Sequence, residues 1–471
     1  MSNPHLTINA LSSDLLAKAE LLATNTQPPE FTLEATRELA KVGMFGSPEE
    51  RTVSHLLTRQ IAESKGIYLA SIQDFYNAIG KGETKSDLTV PALNVRAVAY
   101  DTALAIFSAI EKNNVGAVIF ELSRGEIGFT QQRPMQYVTS ILNAAIASGF
   151  TGPVFFQGDH YQVSPSKYAE NSTEEVGQVE ALIKEAVSAG FYNIDIDTST
   201  LVDLSKPNVT EQQRLNFEIC AQLSKVCREV EPKGITISIG GEIGEVGEHN
   251  TTEEEVDAFM QGMKDSLPGN LTSISKLSVQ TGTKHGGNVL PDGTLGDMDI
   301  NFQHLDFLGQ ICRKKHNIGG VVQHGASTLP LHKFNGFPKA QCLEIHLAAT
   351  LLNTVYDEMP NELEEEAYTW LKEKFQHEWS ESMTEKQFLY HARRFSVGPF
   401  QKVWWNMDSE SLSNIRSSLT EQISEFFVRL GVADTKELIQ EFTKPVPVEL
   451  NLNDLFKNGI VGYEVLTDLA D

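Results

Sequence analysis

Between residues 89 and 356 the chain alternates short apolar, β-branched runs with longer stretches whose apolar positions recur every three or four residues. The first pattern is that of a strand, the second that of an amphipathic helix. Runs at 89–95, 115–121, 153–157, 192–196, 235–239, 276–280, 319–323 and 342–347 predict eight strands. Stretches at 101–113, 136–148, 174–189, 211–230, 252–262 and 302–314 predict helices between them, and 348–356 one more after the last strand. Strands that read as apolar throughout are covered on both faces. Eight of them alternating with helices give the count of a closed α/β fold, a (β/α)8 TIM barrel. An open doubly wound sheet competes, but it gathers its glycine and polar residues at one switch point. Here such residues follow nearly every strand, so the barrel is the expected fold.

On either side the periodicity is helical. Before the first strand, 11–23, 32–42, 49–63 and 67–79 carry apolar residues at helical spacing, with Pro28-Pro29 and Gly80-Lys81-Gly82 as breaks. Beyond the barrel, 361–378, 384–393, 410–430 and 435–442 do the same. The expected organisation is a helical extension over 1–88, a catalytic barrel over 89–356 and a second helical extension over 357–471. The acidic run 362–366 suits a solvated helix start, where negative charge also favours the dipole. Trp404-Trp405 reads as core or interface. The first extension carries no chemical motif, and packing or subunit contact is the plain expectation for it; either extension could bury a subunit contact or lid the barrel mouth.

Charge narrows the partners. Lys and Arg number 38 against 63 Asp and Glu, a formal charge of −25. Such a surface repels phosphate backbones and anionic membranes, so neither nucleic acid nor lipid is an expected partner. An anionic substrate needs a positive site built locally. The four cysteines (Cys220, Cys227, Cys312, Cys342) are dispersed, which reads as reduced buried thiols in a cytoplasmic protein. No signal-peptide pattern and no apolar run of about 18 residues is visible.

The chemistry gathers where strands end. The third strand runs into Gly158-Asp159-His160, the sixth into His285-Gly286-Gly287 and the seventh into His324-Gly325-Ala326-Ser327. A barrel brings the C-terminal ends of its strands together around one mouth, so separation in sequence is no obstacle. Three imidazoles with an open position make the catalytic zinc pattern, and Glu242 after the fifth strand is a fourth or alternate ligand. Asp159, adjacent to a ligand, is the candidate acid/base. The glycines beside His285 and His324 suit either backbone contacts to a phosphate or plain tight turns.

Taken in order, Asn94, Ser123-x-Gly125, Gly158-Asp159-His160, Glu242-Ile243-Gly244, Gly282 to Gly286 and His324-Gly325-Ala326-Ser327 resemble the motif set of the class II, zinc-dependent fructose-bisphosphate and tagatose-bisphosphate aldolases, over about 89–350. The resemblance implies that His160, His285 and His324 hold zinc or another divalent ion, with Glu242 near a second or displaced metal position and a monovalent cation nearby. It implies that the metal polarises the ketose carbonyl and stabilises the enediolate. Asp159 would protonate the aldehyde oxygen in condensation and deprotonate the C4 hydroxyl in cleavage. Gly286, Gly325 and Ser327 would contact phosphate, with Asn94, Ser123 and His346 also facing substrate.

Two stretches depart from the family pattern. After the fifth strand the family carries a loop glutamate that shuttles the C3 proton; here Asn250 stands at that place, and Glu248, Glu245 or His249 would have to substitute. After the eighth strand His346 replaces the family's asparagine, which weakens the case for a bisphosphate. Arg96, Arg124 and Arg133 are the sequence's stand-ins for lost anion contacts. Three functions follow. The first is an aldolase cleaving a ketose (bis)phosphate, such as fructose 1,6-bisphosphate, into dihydroxyacetone phosphate and an aldehyde. The second is a ketose or keto-acid C4-epimerase, and the third a non-catalytic aldolase-associated subunit, against which Asp159 and the three histidines argue. A homo-oligomer, most simply a dimer, is expected.

Overall fold

Eight parallel strands close on themselves in the computed structural model, which describes residues 11–24, 27–244, 249–282, 289–296 and 299–463. They are β2 (Val90–Asn94), β3 (Ile119–Ser123), β4 (Gly152–Gln162), β5 (Asn193–Asp197), β6 (Ser238–Glu242), β7 (Lys276–Ser278), β8 (Gly320–Gln323) and β9 (Glu344–Leu347). Each pairs with the next, and β9 returns to β2 through Val90↔Glu344 and Leu93↔Leu347. With helices such as Ala99–Asn113, Pro134–Ser148 and Arg214–Val230 packed outside, this is a (β/α)8 barrel with helical extensions.

The strands are less apolar than expected. Helix-facing positions are aromatic or aliphatic: Phe120 and Phe156 meet Phe107, Tyr137 and Phe191 at ring separations of 5.2–6.1 Å. The alternate positions face the barrel axis and carry Glu121, Gln157, Asp195, Lys276 and Glu344, all buried. Burial energy therefore comes from the helix-facing side, about 25 cal/mol per Å² of apolar surface, while the interior is held by paired charges.

One expected helix begins as a strand. The stretch 67–79 splits into β1 (Ile67–Leu69) and a helix, Gln73–Lys81. β1 pairs in parallel with the first three residues of β4, outside the closed ring. Gly152 N–H donates to Gly66 O and Ala70 N–H to Val154 O, at 2.9 and 3.1 Å. Ile-Tyr-Leu suits a strand as well as a helix, and a nearby strand edge decided the outcome. The helices Ser13–Leu22, Pro29–Phe45 and Pro48–Ser64 lie close to their expected bounds, as do Asn361–Lys374, Glu385–Ala392, Ser409–Arg429 and Lys436–Phe442. Two more, Val397–Trp404 and Leu452–Ile460, were not anticipated.

Asp101, fully buried on the Ala99–Asn113 helix, ties both ends of the chain to the barrel. Arg37 and Arg416 each donate to its carboxylate at 2.7 Å. Trp404 and Trp405 are fully buried, and all four cysteines are free and buried. No helix among the described residues is long and apolar enough to cross a membrane.

Candidate active site

Consecutive residues of a regular strand face opposite ways, yet Asp159 and His160 both line the cavity at the barrel mouth. The end of β4 explains how. Its register with β5 shifts between Gly158 and Tyr161, and His160 takes φ +37°, a left-handed conformation few side chains adopt. A Cβ on residue 158 would lie 2.5 Å from the Tyr161 ring, so only glycine fits there. The irregularity turns both side chains to the mouth, and such local strain clusters at functional sites.

Around them the ends of β6, β8 and β9 deliver Glu242, His324 and His346. His160 Nδ1 lies 3.2 Å from Glu242 Oε2 and 3.1 Å from Asp197 Oδ2. His324 Nδ1 lies 3.6 Å from Glu242 Oε1 and 2.8 Å from Ser278 Oγ, and the two imidazole rings are 4.2 Å apart. One ligand atom from each of His160, Glu242 and His324 falls within 4.8 Å of the other two. Two imidazole nitrogens and a carboxylate oxygen, all buried, are a donor set that fits zinc; Asp197 shares the Nδ1 edge of His160 with Glu242. Burial by itself would lower the His160 pKa, but Glu242, Asp159 and Asp197 raise it well above the usual value. His324 goes the other way: burial, then the charges of His346 and His160, hold it well below.

His346 joins this cluster to a second one beneath. Its Nδ1 lies 2.9 Å from Glu121 Oε2, 3.1 Å from Asp159 Oδ1 and 3.1 Å from His324 Nε2; its Nε2 lies 2.8 Å from Glu344 Oε1. Against burial, Glu121 and Asp159 raise its pKa well above the ordinary value, so the ring carries a proton. Asp159 in turn is held well below the carboxylate range, since His160 and His346 outweigh its own burial. Lower in the barrel, Lys276 Nζ donates to Gln157 Oε1, Asp195 Oδ2 and Glu344 Oε1 at 2.7, 3.0 and 2.5 Å, and Tyr76 donates to Glu344 Oε2 at 2.5 Å. Burial pushes Asp195 up to about 6, whereas Lys276 and His346 hold Glu344 well below its usual value despite burial.

The expected site residues fare unevenly. Asp159, His160, His324, Gly325, Ser327, His346 and Asn94 line one cavity, and Glu242 joins the two imidazoles. Ser123 does not line it; its hydroxyl accepts from Glu126 N–H and caps the helix Arg124–Thr130. His285, Gly286, Glu248 and Glu245 lie outside the described residues. His249 is exposed and bonded through Nδ1 to Asn250 O at 2.9 Å. The anion stand-ins are otherwise engaged. Arg124 pairs with Glu175 and Arg133 with Glu185, both away from this cavity, and Arg96 lines it while bonded to Glu126 at 2.6 Å.

Missed altogether were Glu121, Asp195, Asp197, Lys276 and Glu344. Their signal was present, as charged residues at alternate positions inside strands: Asp195-x-Asp197, Glu344-x-His346, Lys276-x-Ser278. A period of two marks one face of a strand. Missed too was the wall built by Asn353, Tyr390, His391, Arg393 and Arg394.

Residues 77–393 match the family model described as fructose-bisphosphate aldolase class-II. The chain belongs to that family. Among solved structures it is similar to the fructuronate-tagaturonate epimerase UxaE from Cohnella laeviribosi, at 10% identity and TM-score 0.55, over 81% of this chain and 86% of that one. It is similar also to a probable tagatose 6 phosphate kinase from Sinorhizobium meliloti 1021, at 14% identity and TM-score 0.51, over 79% of this chain and 100% of that one. A fructose-bisphosphate aldolase from Campylobacter jejuni aligns at 16% identity and TM-score 0.46, over 78% and 97%. At these identities the first two likenesses speak for the fold alone. No curated protein matches the chain.

Proposed function

We propose that this protein is a metal-dependent lyase that breaks the C3–C4 bond of a ketose phosphate, fructose 1,6-bisphosphate being the reference substrate, to give dihydroxyacetone phosphate and an aldehyde. The observation that carries it is the convergence of His160, Glu242 and His324 beside an ionised Asp159 at the mouth of a barrel of this family. His160, His324 and Glu242 would hold zinc, with His285 a further ligand on sequence grounds. Bound there, zinc supplies a Lewis acid for the ketose carbonyl.

The remaining work falls to the protein. Asp159, kept ionised by His160 and His346, takes the proton from the C4 hydroxyl as the C3–C4 bond breaks. The electron pair passes toward the carbonyl and C3 is left to be protonated, a step assigned to Glu248. In the reverse direction Asp159 returns its proton to the aldehyde oxygen. Asn94, whose side-chain oxygen is buried and has no hydrogen-bond partner among the described residues, offers an acceptor to a substrate hydroxyl. Ser327 Oγ accepts from Ala348 N–H at 2.8 Å, which leaves its own proton for a substrate oxygen.

A second reading keeps the same bond cleavage and re-forms the bond with C4 inverted, a C4-epimerase of a ketose or keto acid. The wall of residues 390–394 over the mouth favours it, since a covered aldehyde fragment is retained rather than released. Zinc analysis of the purified protein, followed by incubation with fructose 1,6-bisphosphate under a triose-phosphate readout, tests the first reading. Zinc with triose phosphate supports the lyase; zinc with a ketose converted only to its C4 epimer supports the second. A protein that retains no divalent ion and turns over no ketose overturns both.

A further inference from the structure

One carboxylate behind the barrel mouth holds two of the side chains that line the cavity. Glu126, fully buried, belongs to the short helix Arg124–Thr130 that follows β3. Its Oε2 accepts from Ser123 N–H at 2.8 Å, closing the reciprocal cap of that helix, and from Asn94 Nδ2 at 2.5 Å. Its Oε1 accepts from Arg96 Nε at 2.6 Å. Asn94, the last residue of β2, and Arg96 line the cavity; Glu126 does not.

A carboxylate that receives a backbone N–H and a guanidinium N–H only accepts. The Asn94 amide therefore turns its nitrogen to Glu126 and its oxygen away. That oxygen is buried and has no hydrogen-bond partner among the described residues. Of the buried side-chain oxygens left so among those residues, it is the one that belongs to a residue of this cavity. A buried acceptor left unmet is costly, and a hydroxyl donated by a bound sugar removes the cost. Reversed, the same amide would meet the sugar with donors instead.

We propose that Glu126 is a positioning residue of the active site: by fixing the Asn94 amide, it makes this wall accept a hydrogen bond from a ketose hydroxyl rather than donate one to a ketose oxygen. The inference rests on the proposed function and adds the residue that decides how Asn94 reads the substrate. Glu126→Gln leaves one acceptor and one NH2 group where two acceptors are needed. The charged guanidinium of Arg96 takes the acceptor, so the NH2 group falls to Asn94 and turns its amide over. With Asn94→Asp added, the new carboxylate accepts from that NH2 group with one oxygen and offers the other to the sugar. The paired exchange also leaves the summed charge of the two positions unchanged.

The test compares the zinc-loaded full chain as wild type, Glu126→Gln, Asn94→Asp and the double variant, on fructose 1,6-bisphosphate under a triose-phosphate readout. Each single variant is expected to lose roughly 10- to 100-fold in kcat/KM. The double variant is expected to recover most of that loss, with equal zinc content throughout. A merely structural Glu126 would leave the double variant at least as impaired as either single one. That result overturns the proposal, as does a wild-type kcat/KM in Glu126→Gln. A second readout needs no sugar. With isotope-labelled asparagine, the Asn94 side-chain amide, identified by its loss in Asn94→Asp, should be shielded from exchange with water in the wild type and open to it in Glu126→Gln. Equal exchange in both overturns the orientation whatever the substrate. An amide that behaves as expected in a protein that binds no zinc and turns over no ketose supports Glu126 and strikes the functional reading beneath it.

Discussion

Three overlapping groups of histidine and carboxylate lie in the barrel interior, and by composition each is a metal site; Asp159, His324 and His346 link the other two. His160, Glu242 and His324 form the upper one, Asp195, Glu344 and His346 the lower; in each the ligand atoms lie within 4.8 Å of one another. Lys276 separates them. Its ammonium sits among Asp195, Glu344 and Gln157, where a cation would sit, and three donated hydrogen bonds use all its protons. Burial would discharge that lysine, but the two carboxylates raise its pKa instead. In the upper cluster Glu242 faces two imidazoles, which can exchange a proton for a metal. An acid–imidazole cluster whose carboxylates already hold an ammonium is thus the poorer metal candidate.

The largest expected effect probes the acid beside the upper cluster. Asp159→Asn should lower kcat by roughly 10²- to 10⁴-fold, the range for a lost general base, with zinc content unchanged by metal analysis. Unaltered turnover would remove Asp159 from the chemistry.

Next, Lys276→Met strips the lower cluster of its cation. Removing one member of a buried ionic group costs about 3–5 kcal/mol, to be read from urea denaturation of the metal-free protein. The same variant should bind a divalent ion beyond the wild-type stoichiometry, since Asp195 and Glu344 then lose the cation they share. No extra ion would mean that something besides the ammonium distinguishes the layers.

Zinc itself supplies the third comparison. At a hundredfold excess over Kd a ligand stabilises the folded state by about 2.7 kcal/mol, so a chelator should lower the thermal midpoint of the wild type. In His324→Ala the chelator should have little effect. An equal shift in both would place the ion elsewhere.

The smallest effect sharpens the contrast between buried imidazoles with and without acids. His346 faces carboxylates and is protonated. His55 is equally buried and bonds Thr139 Oγ1 through Nδ1 at 2.9 Å; burial, helped by Arg59, lowers its pKa to about 3. The unfolded chain takes up a proton on this ring below about pH 6.5 and the folded one does not. Stability therefore falls as pH drops from about 6.5 towards 3 and is flat in this term above it, with a loss of about 1.4 kcal/mol by pH 5.5. His55→Gln should remove that part of the slope in urea midpoints compared at pH 7.5 and 5.5.

Much of the barrel was legible because its strands and helices announce themselves locally. Turn and cap chemistry helped: Thr252 and Glu255 cap the helix Glu253–Ser266 reciprocally, near its expected start. What failed was local ambiguity, as with Ile67-Tyr68-Leu69, and periodicity read too coarsely. Glu121 and Lys276 each sit within a run that reads as apolar, and only the alternation of faces sets them apart. At the site, Asp159, His160 and His324 were visible because a strand end followed by an acid or an imidazole is unusual. Arg393 was not, since some 230 residues separate it from Asp159 and no motif relates the two.

Local sequence thus determined the number and kind of elements, the acidic surface and the imidazoles at the strand ends, since spacing and charge act over a few residues. Tertiary structure alone decided that Asp159 and His160 share a face, through a register shift at Gly158. It also decided that Lys276 neutralises the cluster of Asp195 and Glu344 and that Arg393 stands across the cavity from His160 and His324. Each depends on the distance between charges in a water-poor interior, where a separation of a few ångströms fixes whether an acid holds a proton, an ammonium or a metal.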